Sequence, residues 1–119
     1  MPNILIAMLS QSEENYIKAI FTLSQSTDRV STNNIADSLK TKPSSVTDML
    51  QKLSDKGLVD YVKYQGVSLT DEGRNKAISV IRNSRLWEVF LVEKLGYAWD
   101  EVHAIAEQLE HVQSETLIN

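Results

Sequence analysis

Four side chains that could bind a metal ion recur at helical spacing near the end of this 119-residue chain. They stand at positions i, i+4, i+7 and i+8, so on a helix they share one face: His103, Glu107, Glu110 and His111. Carboxylate and imidazole ligands without a thiolate favour Mn²⁺ or Fe²⁺ and are compatible with Zn²⁺, Co²⁺ or Ni²⁺. A solvated polar stripe would show the same spacing. The chain has two histidines and both lie on this stripe, which favours the metal interpretation.

Helix signals earlier in the chain predict a compact set of helices ahead of this stripe. A first helix is expected after Ser10, whose spacing to Glu13 is that of a capping box. Ser31 is the expected N-cap of a second helix. A third helix is expected to begin at Pro43, which is tolerated in a first helical turn, and to end at Gly57.

The periodicity changes after the third helix. Residues 58–69 are rich in β-branched and aromatic side chains around a Gln65-Gly66 turn signal, which predicts a hairpin. A long fourth helix capped by Thr70 is expected to stop at Gly96. A fifth should start around Trp99 and run toward residue 113, with the start of a sixth at the end of the chain.

This order of elements predicts the fold class. Three helices with a tight break between the second and third, followed by a two-stranded hairpin, form a winged helix-turn-helix. We therefore expect a mainly α protein with a small β-hairpin. Its DNA-binding domain should span residues 1–72, and a helical metal-binding and dimerisation domain should span residues 73–119. We expect the second domain to be incomplete at its C-terminus. A small helical domain with a surface hairpin and no role in nucleic-acid binding is the alternative.

The third helix is the predicted recognition helix. Its polar face would enter the major groove, where hydroxyls and backbone N–H groups near a helix N-terminus can bind phosphate and longer side chains can reach base edges. Five lysines against three acids between residues 40 and 65 support this interpretation. The predicted DNA-binding residues are Lys42, Ser44, Ser45, Thr47, Gln51 and Lys52.

The charge of the chain is unevenly distributed. Its formal net charge is −4 and its pI about 5.1, which on average argues against a basic nucleic-acid-binding surface. Residues 1–70 hold seven Lys/Arg and seven Asp/Glu, whereas residues 71–119 hold five and nine, so the whole deficit lies in the second part. The absence of cysteine excludes disulfides and thiolate ligands. The apolar segment 4–9 is too short to span a membrane, and we expect a cytoplasmic protein.

Several motifs together resemble one family over essentially the whole chain: the diphtheria toxin repressor and manganese transport regulator family of metal-dependent transcription factors. Family members are dimers that bind operator DNA when loaded with Mn²⁺ or Fe²⁺. The glutamate and histidine motif is specific to the family, whereas the wing residues are not. The motifs that carry the resemblance are Ser12-Glu-Glu-Asn-Tyr-Ile17, Lys42-Pro-Ser-Ser-Val-Thr47, Gly57-Leu-Val59 with Leu69-Thr70, Arg85-Leu-Trp-Glu88 and Glu107-x-x-Glu110-His111.

The resemblance implies a primary metal site formed by Glu107, Glu110 and His111. A carboxylate at Glu107 is typical of the manganese-type members. Asn15 occupies the position where members supply a further ligand from the first helix, usually Asp or Met, and it offers an uncharged carbonyl oxygen.

A second, ancillary metal site is implied at His103 and Glu88. Ser84 stands where members place a histidine of that site, so the sequence departs from the family pattern there.

These inferences predict a metal-dependent DNA-binding regulator, a repressor of metal-uptake genes that binds double-stranded operator DNA as a homodimer. One alternative is a winged-helix regulator that has lost its metal dependence. Another is a metalloenzyme. The sequence contains no Glu-x-x-His pair and no obvious nucleophile, so we predict that the protein is not an enzyme. The dimer surface is expected on the apolar face of the fourth and fifth helices, at Trp87, Phe90, Leu91, Ile105 and Leu109.

Overall fold

The computed structural model describes residues 9–96 and 99–109 of the chain. These residues belong to two compact units, Met1–Ala77 and Ile78–Asn119. The domain bounds expected from the sequence, 1–72 and 73–119, stay a prediction. The described part of the chain contains no helix that is long and apolar enough to cross a membrane.

Helix α1 spans Gln11–Leu23 and begins with the predicted capping box. The Glu13 N–H donates to Ser10 Oγ at 3.1 Å, and the Ser10 N–H donates back to Glu13 Oε1 at 2.8 Å. Two backbone donors of the first turn are thereby satisfied reciprocally. The helix buries Ile17 and Ile20 completely.

Helices α2 (Thr32–Leu39) and α3 (Pro43–Asp55) form the helix-turn-helix. The Asn34 N–H donates to Ser31 Oγ at 3.1 Å, which confirms the predicted N-cap of α2. Lys40, at φ 54°, adopts a left-handed conformation that ends α2, and Pro43 occupies the first turn of α3. The predicted tight break between the two helices is confirmed, with Pro43 at the predicted start of the third helix; the left-handed Lys40 was not part of that prediction.

The wing is an antiparallel hairpin of β1 (Val59–Val62) and β2 (Gly66–Leu69), in register from Val59 opposite Leu69 to Val62 opposite Gly66. An isolated bridge joins it to Val30, the residue before the N-cap of α2. The Val30 N–H donates to Val67 O at 2.8 Å, and the Val67 N–H donates to Val30 O at 2.9 Å. The hairpin is therefore paired on a second side by one residue of the preceding loop.

The first unit has one hydrophobic core, to which α1, α2, α3, the hairpin and the start of the following helix contribute. Its apolar members repeat at helical spacing in α1 and α3 and alternate in the wing, as the sequence pattern predicts. The completely buried members are Ile17, Ile20, Val30, Ile35, Val46, Leu50, Leu53, Val67 and Ala77.

Helix α4 spans Asp71–Leu95 and starts at a close chain crossing. The Gly73 N–H donates to Thr70 Oγ1 at 3.1 Å, and Thr70 Oγ1 donates to Gly57 O at 2.8 Å. A Cβ on Gly73 would lie 1.9 Å from Leu58 O, so glycine is required there. The helix ends before Gly96, whose φ is 71°.

Helix α5 spans Trp99–Leu109, and the second unit packs around Leu91, Val102 and Ala106. Trp87, Ile105 and Leu109 pack partly buried against these residues, so four of the five apolar residues predicted for the dimer surface belong to this small core. The fifth, Phe90, is 42% exposed, and Ile78, Leu86 and Val89 are further exposed large apolar side chains of α4. The predicted extension of α5 to residue 113 and the predicted sixth helix lie outside the described residues.

The predicted fold class is confirmed: the described chain is mostly helical with one two-stranded hairpin, and its first unit is a winged helix-turn-helix.

Candidate nucleic-acid interface and metal centre

The predicted DNA-binding residues cluster on the exposed side of α3 and at its N-terminal end. Lys42 is the N-cap residue and makes no capping hydrogen bond with its side chain. Ser44 and Ser45 follow in the first turn. The first-turn backbone N–H groups of a helix carry a partial positive charge and have no partner within the helix. This end of α3 therefore suits the binding of an anionic group. Lys42, Ser44, Ser45, Gln51 and Lys52 are exposed, and Thr47 is half-buried.

Two of these side chains are held within the helix. Thr47 Oγ1 donates to Pro43 O at 3.1 Å, and Gln51 Nε2 donates to Asp55 Oδ1 at 3.2 Å. The hydroxyl of Thr47 thus back-bonds to its own helix, whereas Gln51 would have to exchange its carboxylate partner to contact a base.

A carboxylate from α1 lies beside the C-terminal end of α3, which the sequence analysis missed. Glu13 Oε2 accepts from Lys56 Nζ at 2.6 Å and lies 3.9 Å from Lys52 Nζ. The Glu13 side chain is 3% exposed. The positive charge expected around α3 from five lysines against three acids is therefore too high, because Glu13, although distant in sequence, neutralises Lys56.

The ion pair also fixes the charge state of Glu13. Burial by itself raises the pKa of the Glu13 carboxyl, but the hydrogen bonds from Lys56 and Ser10 outweigh it, and the pKa lies below its ordinary value. Glu13 is thus held as a carboxylate inside the first unit.

Arg29 was also missed by the sequence analysis. Its guanidinium spans both strands of the wing: Nη2 donates to Asp60 O at 3.0 Å and to Gly66 O at 2.9 Å, and Nε donates to Gln65 O at 3.1 Å. Nη1 also pairs with Asp60 Oδ2 at 3.1 Å. No local pattern signals these contacts, because the partners are more than thirty residues away in sequence.

Asn15, the ligand predicted from α1, has an unusual environment. Its Oδ1 atom is buried and has no hydrogen-bond partner among the described residues. A buried amide oxygen without a partner is costly, and in native proteins its presence calls for an explanation. An amide carbonyl oxygen is a ligand that hard divalent cations accept, so the residue fits the predicted role.

The second unit brings the two predicted ancillary ligands together. His103 Nδ1 lies 3.9 Å from Glu88 Oε1, a contact that is an ion pair only when the imidazole is protonated. His103 is 84% exposed and Glu88 24% exposed. Ser84 lies one turn before Glu88 on α4 and is half-buried.

The primary site is described only in part. Glu107 is half-buried on α5, one turn after His103, whereas the predicted ligands Glu110 and His111 lie outside the described residues. Within residues 9–96 and 99–109, no three His, Asp or Glu side chains are grouped so that they could hold an ion.

Comparison with known proteins identifies both parts of the chain. A family model for the iron dependent repressor, N-terminal DNA binding domain, matches residues 8–67. A second, for the iron dependent repressor, metal binding and dimerisation domain, matches residues 70–119. The uncharacterised HTH-type transcriptional regulator MJ0568 of Methanocaldococcus jannaschii is 34% identical over 111 residues, which cover 92% of this chain and 89% of the relative.

Two further proteins are similar to this chain, and one of them was solved with a metal. The HTH-type transcriptional regulator MntR of Oceanobacillus iheyensis is 36% identical over 104 residues, covering 87% of this chain and 70% of the relative. A manganese-dependent transcriptional repressor, solved in complex with manganese, is 43% identical with a TM-score of 0.77. That match covers 89% of this chain and 49% of the solved one, so this chain spans about half the length of that repressor.

Proposed function

The chain belongs to the iron-dependent repressor family, which includes the manganese transport regulators, and from this premise we propose that it is a metal-dependent transcriptional repressor. It would bind operator DNA as a homodimer, in the cytoplasm, and regulate genes for metal uptake. The observation that carries the proposal is the exposed, hydroxyl-rich N-terminal end of α3 in a helix-turn-helix that matches the family's DNA-binding domain. Its relatives are transcriptional regulators rather than enzymes.

We propose that α3 lies in the major groove. Ser44 and Ser45 would bind phosphate together with first-turn N–H groups, Lys42 would add positive charge, and Gln51 would reach a base edge. A dimer would present two such helices to half-sites one helical turn apart, or a multiple of it.

For the metal, we propose Mn²⁺ or Fe²⁺ held by Glu107, Glu110 and His111, with the carbonyl oxygen of Asn15 as a further ligand. The partnerless Oδ1 of Asn15 supports its place in this set. When bound, the cation supplies positive charge that offsets the repulsion between the two glutamates. Asn15 lies on the same helix as Glu13, whose carboxylate holds the end of α3, so α1 connects the proposed ligand to the recognition helix.

A gel-shift experiment with the DNA upstream of the gene tests this function. The wild-type protein should shift the fragment with Mn²⁺ or Fe²⁺ and release it in a chelator. Glu107→Ala and His111→Ala should abolish the metal response. The matched control is Gln108→Ala, an exposed neighbour on α5 that should behave as wild type. Binding that is equal with metal and with chelator, and unchanged in both ligand variants, would favour a winged-helix regulator without metal dependence.

The ancillary site is a separate proposal, supported by the 3.9 Å contact between His103 and Glu88. If both residues bind metal, Glu88→Ala and His103→Ala should lower the number of Mn²⁺ ions bound per protomer in equilibrium dialysis and leave the primary site filled. Equal stoichiometry in the wild type and both variants would show that the pair is a surface contact.

A further inference from the structure

Helix α1 holds the proposed recognition helix α3 at both of its ends. At the C-terminal end, Lys56 is the C-cap residue of α3, and its Nζ donates to Glu13 Oε2 at 2.6 Å. Just before the N-cap of α3, a hydrogen bond joins the side chain of Thr41 to the hydroxyl of Tyr16, a buried residue of α1. Glu13 and Tyr16 are three residues apart and are therefore neighbours on one face of α1. Two polar contacts from one helix thus restrain both ends of α3.

The Glu13 carboxylate joins the start of α1 to the end of α3. Its Oε1 atom accepts from the Ser10 N–H at 2.8 Å in the capping box, while Oε2 accepts from Lys56. Charge-assisted hydrogen bonds of this kind are shorter and stronger than neutral ones. The side chain is 3% exposed, so water does not readily replace either donor. A displacement of the first turn of α1 would therefore disturb the contact with α3.

The proposed metal ligand Asn15 lies between the two contacts on α1. Glu13 precedes it by two residues and Tyr16 follows it directly. Helix α1 is continuous across all three, from Gln11 to Leu23, and its backbone hydrogen bonds make neighbouring residues move together. The Oδ1 atom of Asn15 is buried and has no hydrogen-bond partner among the described residues. A restraint on this atom would therefore reach both contacts with α3.

The apolar contacts of the core are less directional than these polar ones. Ile17 and Ile20 of α1, and Leu50 and Leu53 of α3, are completely buried in the same core. Burial of apolar surface favours association but depends little on orientation. Hydrogen bonds, in contrast, weaken steeply as their distance or angle changes. The polar contacts from α1 are therefore suited to fix the orientation of α3.

We propose that Glu13 and Tyr16 are positioning residues that couple metal binding at Asn15 to the orientation of α3 on DNA. The proposal rests on the proposed function, because it requires a metal ligand at Asn15 and DNA binding by α3. When Asn15 is held by the cation, α1 is restrained, and both ends of α3 are restrained with it. Both positioning residues lie in the region that matches the DNA-binding domain model, residues 8–67.

The ratio of DNA affinity in Mn²⁺ to DNA affinity in chelator measures this coupling. It is obtained by fluorescence anisotropy with a labelled duplex from the upstream region, at a temperature where circular dichroism shows every variant folded. Tyr16→Phe and Lys56→Met each remove one hydrogen bond to α3, and each should lower the ratio about fivefold. Lys56→Arg keeps a cation beside Glu13 and should retain the metal response.

The matched control is Ser31→Ala. It removes the side chain that caps α2, where the Asn34 N–H donates to Ser31 Oγ, and so destabilises the same unit. It changes neither contact between α1 and α3, and its ratio should equal that of the wild type.

Metal binding provides a second readout of the same coupling. By thermodynamic linkage, DNA should tighten Mn²⁺ binding by the factor by which Mn²⁺ tightens DNA binding. Equilibrium dialysis with and without the duplex should show this tightening reduced in Tyr16→Phe and Lys56→Met. Without DNA their Mn²⁺ affinity should match the wild type, because neither residue is a proposed ligand. A merely structural role would weaken DNA binding equally in Mn²⁺ and in chelator and leave the ratio unchanged.

The outcomes distinguish this proposal from the proposed function. If the wild-type protein responds to Mn²⁺ but either Tyr16→Phe or Lys56→Met keeps the wild-type ratio, the coupling through α1 is refuted and the repressor function stands. If the wild-type protein does not bind the duplex with Mn²⁺ or Fe²⁺, both proposals fail together.

Discussion

Replacing Lys56 with methionine should destabilise the first unit because it leaves a buried carboxylate without its main partner. Glu13 Oε2 is 2.6 Å from Lys56 Nζ, and the Glu13 side chain is 3% exposed. Removing one partner of a fully buried pair costs about 3–5 kcal/mol. Here Lys56 is 30% exposed and Lys52 lies 3.9 Å from the same oxygen, so solvent and a second cation recover part of the loss. We expect a loss of about 2 kcal/mol in the free energy of unfolding.

The assay is urea denaturation followed by circular dichroism, at one protomer concentration and in chelator, so that neither dimerisation nor metal binding differs between samples. The loss corresponds to a fall of about 6–10 °C in melting temperature. Lys52→Met is the matched control, because its side chain is 57% exposed and its contact is long, and it should cost less than about 0.5 kcal/mol.

A double-mutant cycle with Glu13→Gln isolates the pair. The double variant should lose about 1 kcal/mol less in the free energy of unfolding than the two single variants lose together, because the effects of substituting residues in direct contact are not additive. If Lys56→Met unfolds at the same urea concentration as Lys52→Met, the Glu13 carboxylate does not depend on Lys56 and the reasoning is wrong.

Two further predictions concern pH and backbone fit. Because hydrogen bonds lower the pKa of folded Glu13 beneath 4.5 against the effect of burial, its stabilising contribution is present above that pH and is lost as the pH falls through the folded pKa. The difference in the free energy of unfolding between wild type and Glu13→Gln should therefore shrink on acidification. A difference that stays constant with pH would contradict this prediction. Gly73→Ala should lower the free energy of unfolding by about 3 kcal/mol, because the added Cβ would lie 1.9 Å from Leu58 O. At Gly96 an added Cβ has no atom within 4 Å, so Gly96→Ala should lower the free energy of unfolding by about 1 kcal/mol, through backbone strain alone. Equal shifts of the urea midpoint would argue against this close approach.

The helices could be predicted because their signals are local. Ser10 and Ser31 accept from backbone N–H groups three residues later, and Pro43 stands in the first turn of its helix. Gly57 and Gly96 have the positive φ expected after a helix. Caps and turns depend on neighbouring residues, so one sequence suffices to find them.

The contacts that hold the DNA-binding unit together could not be predicted in this way. Lys56 looked like one of several surface lysines, yet its partner Glu13 comes from 43 residues earlier. Arg29 stood in a loop with no pattern, and it binds Gln65 O 36 residues later. Composition and periodicity do not encode which distant groups meet, and these pairs became visible only when the fold brought the segments together.

For the metal centre, the ligands were predicted from similarity to the family, and the geometry of the described residues adds less. The resemblance to the family gave the ligands Glu107, Glu110 and His111, and this set stays a prediction because the last two lie outside the described residues. The structure adds one observation that no pattern contained, the buried and partnerless Oδ1 of Asn15.

The wing bridge has a consequence for the order of folding. Val30 and Val67 are separated by 36 intervening residues, whereas the caps and turns of α1, α2 and α3 close loops of a few residues. Loop-closure entropy must be overcome before distant contacts become favourable, so the helices should form before the hairpin attaches to residues 29 and 30. In the folded protein the attachment is protected, because Val30 and Val67 are completely buried in the core. Hydrogen exchange at the Val30 and Val67 amides should therefore be as slow as at the buried α3 amides.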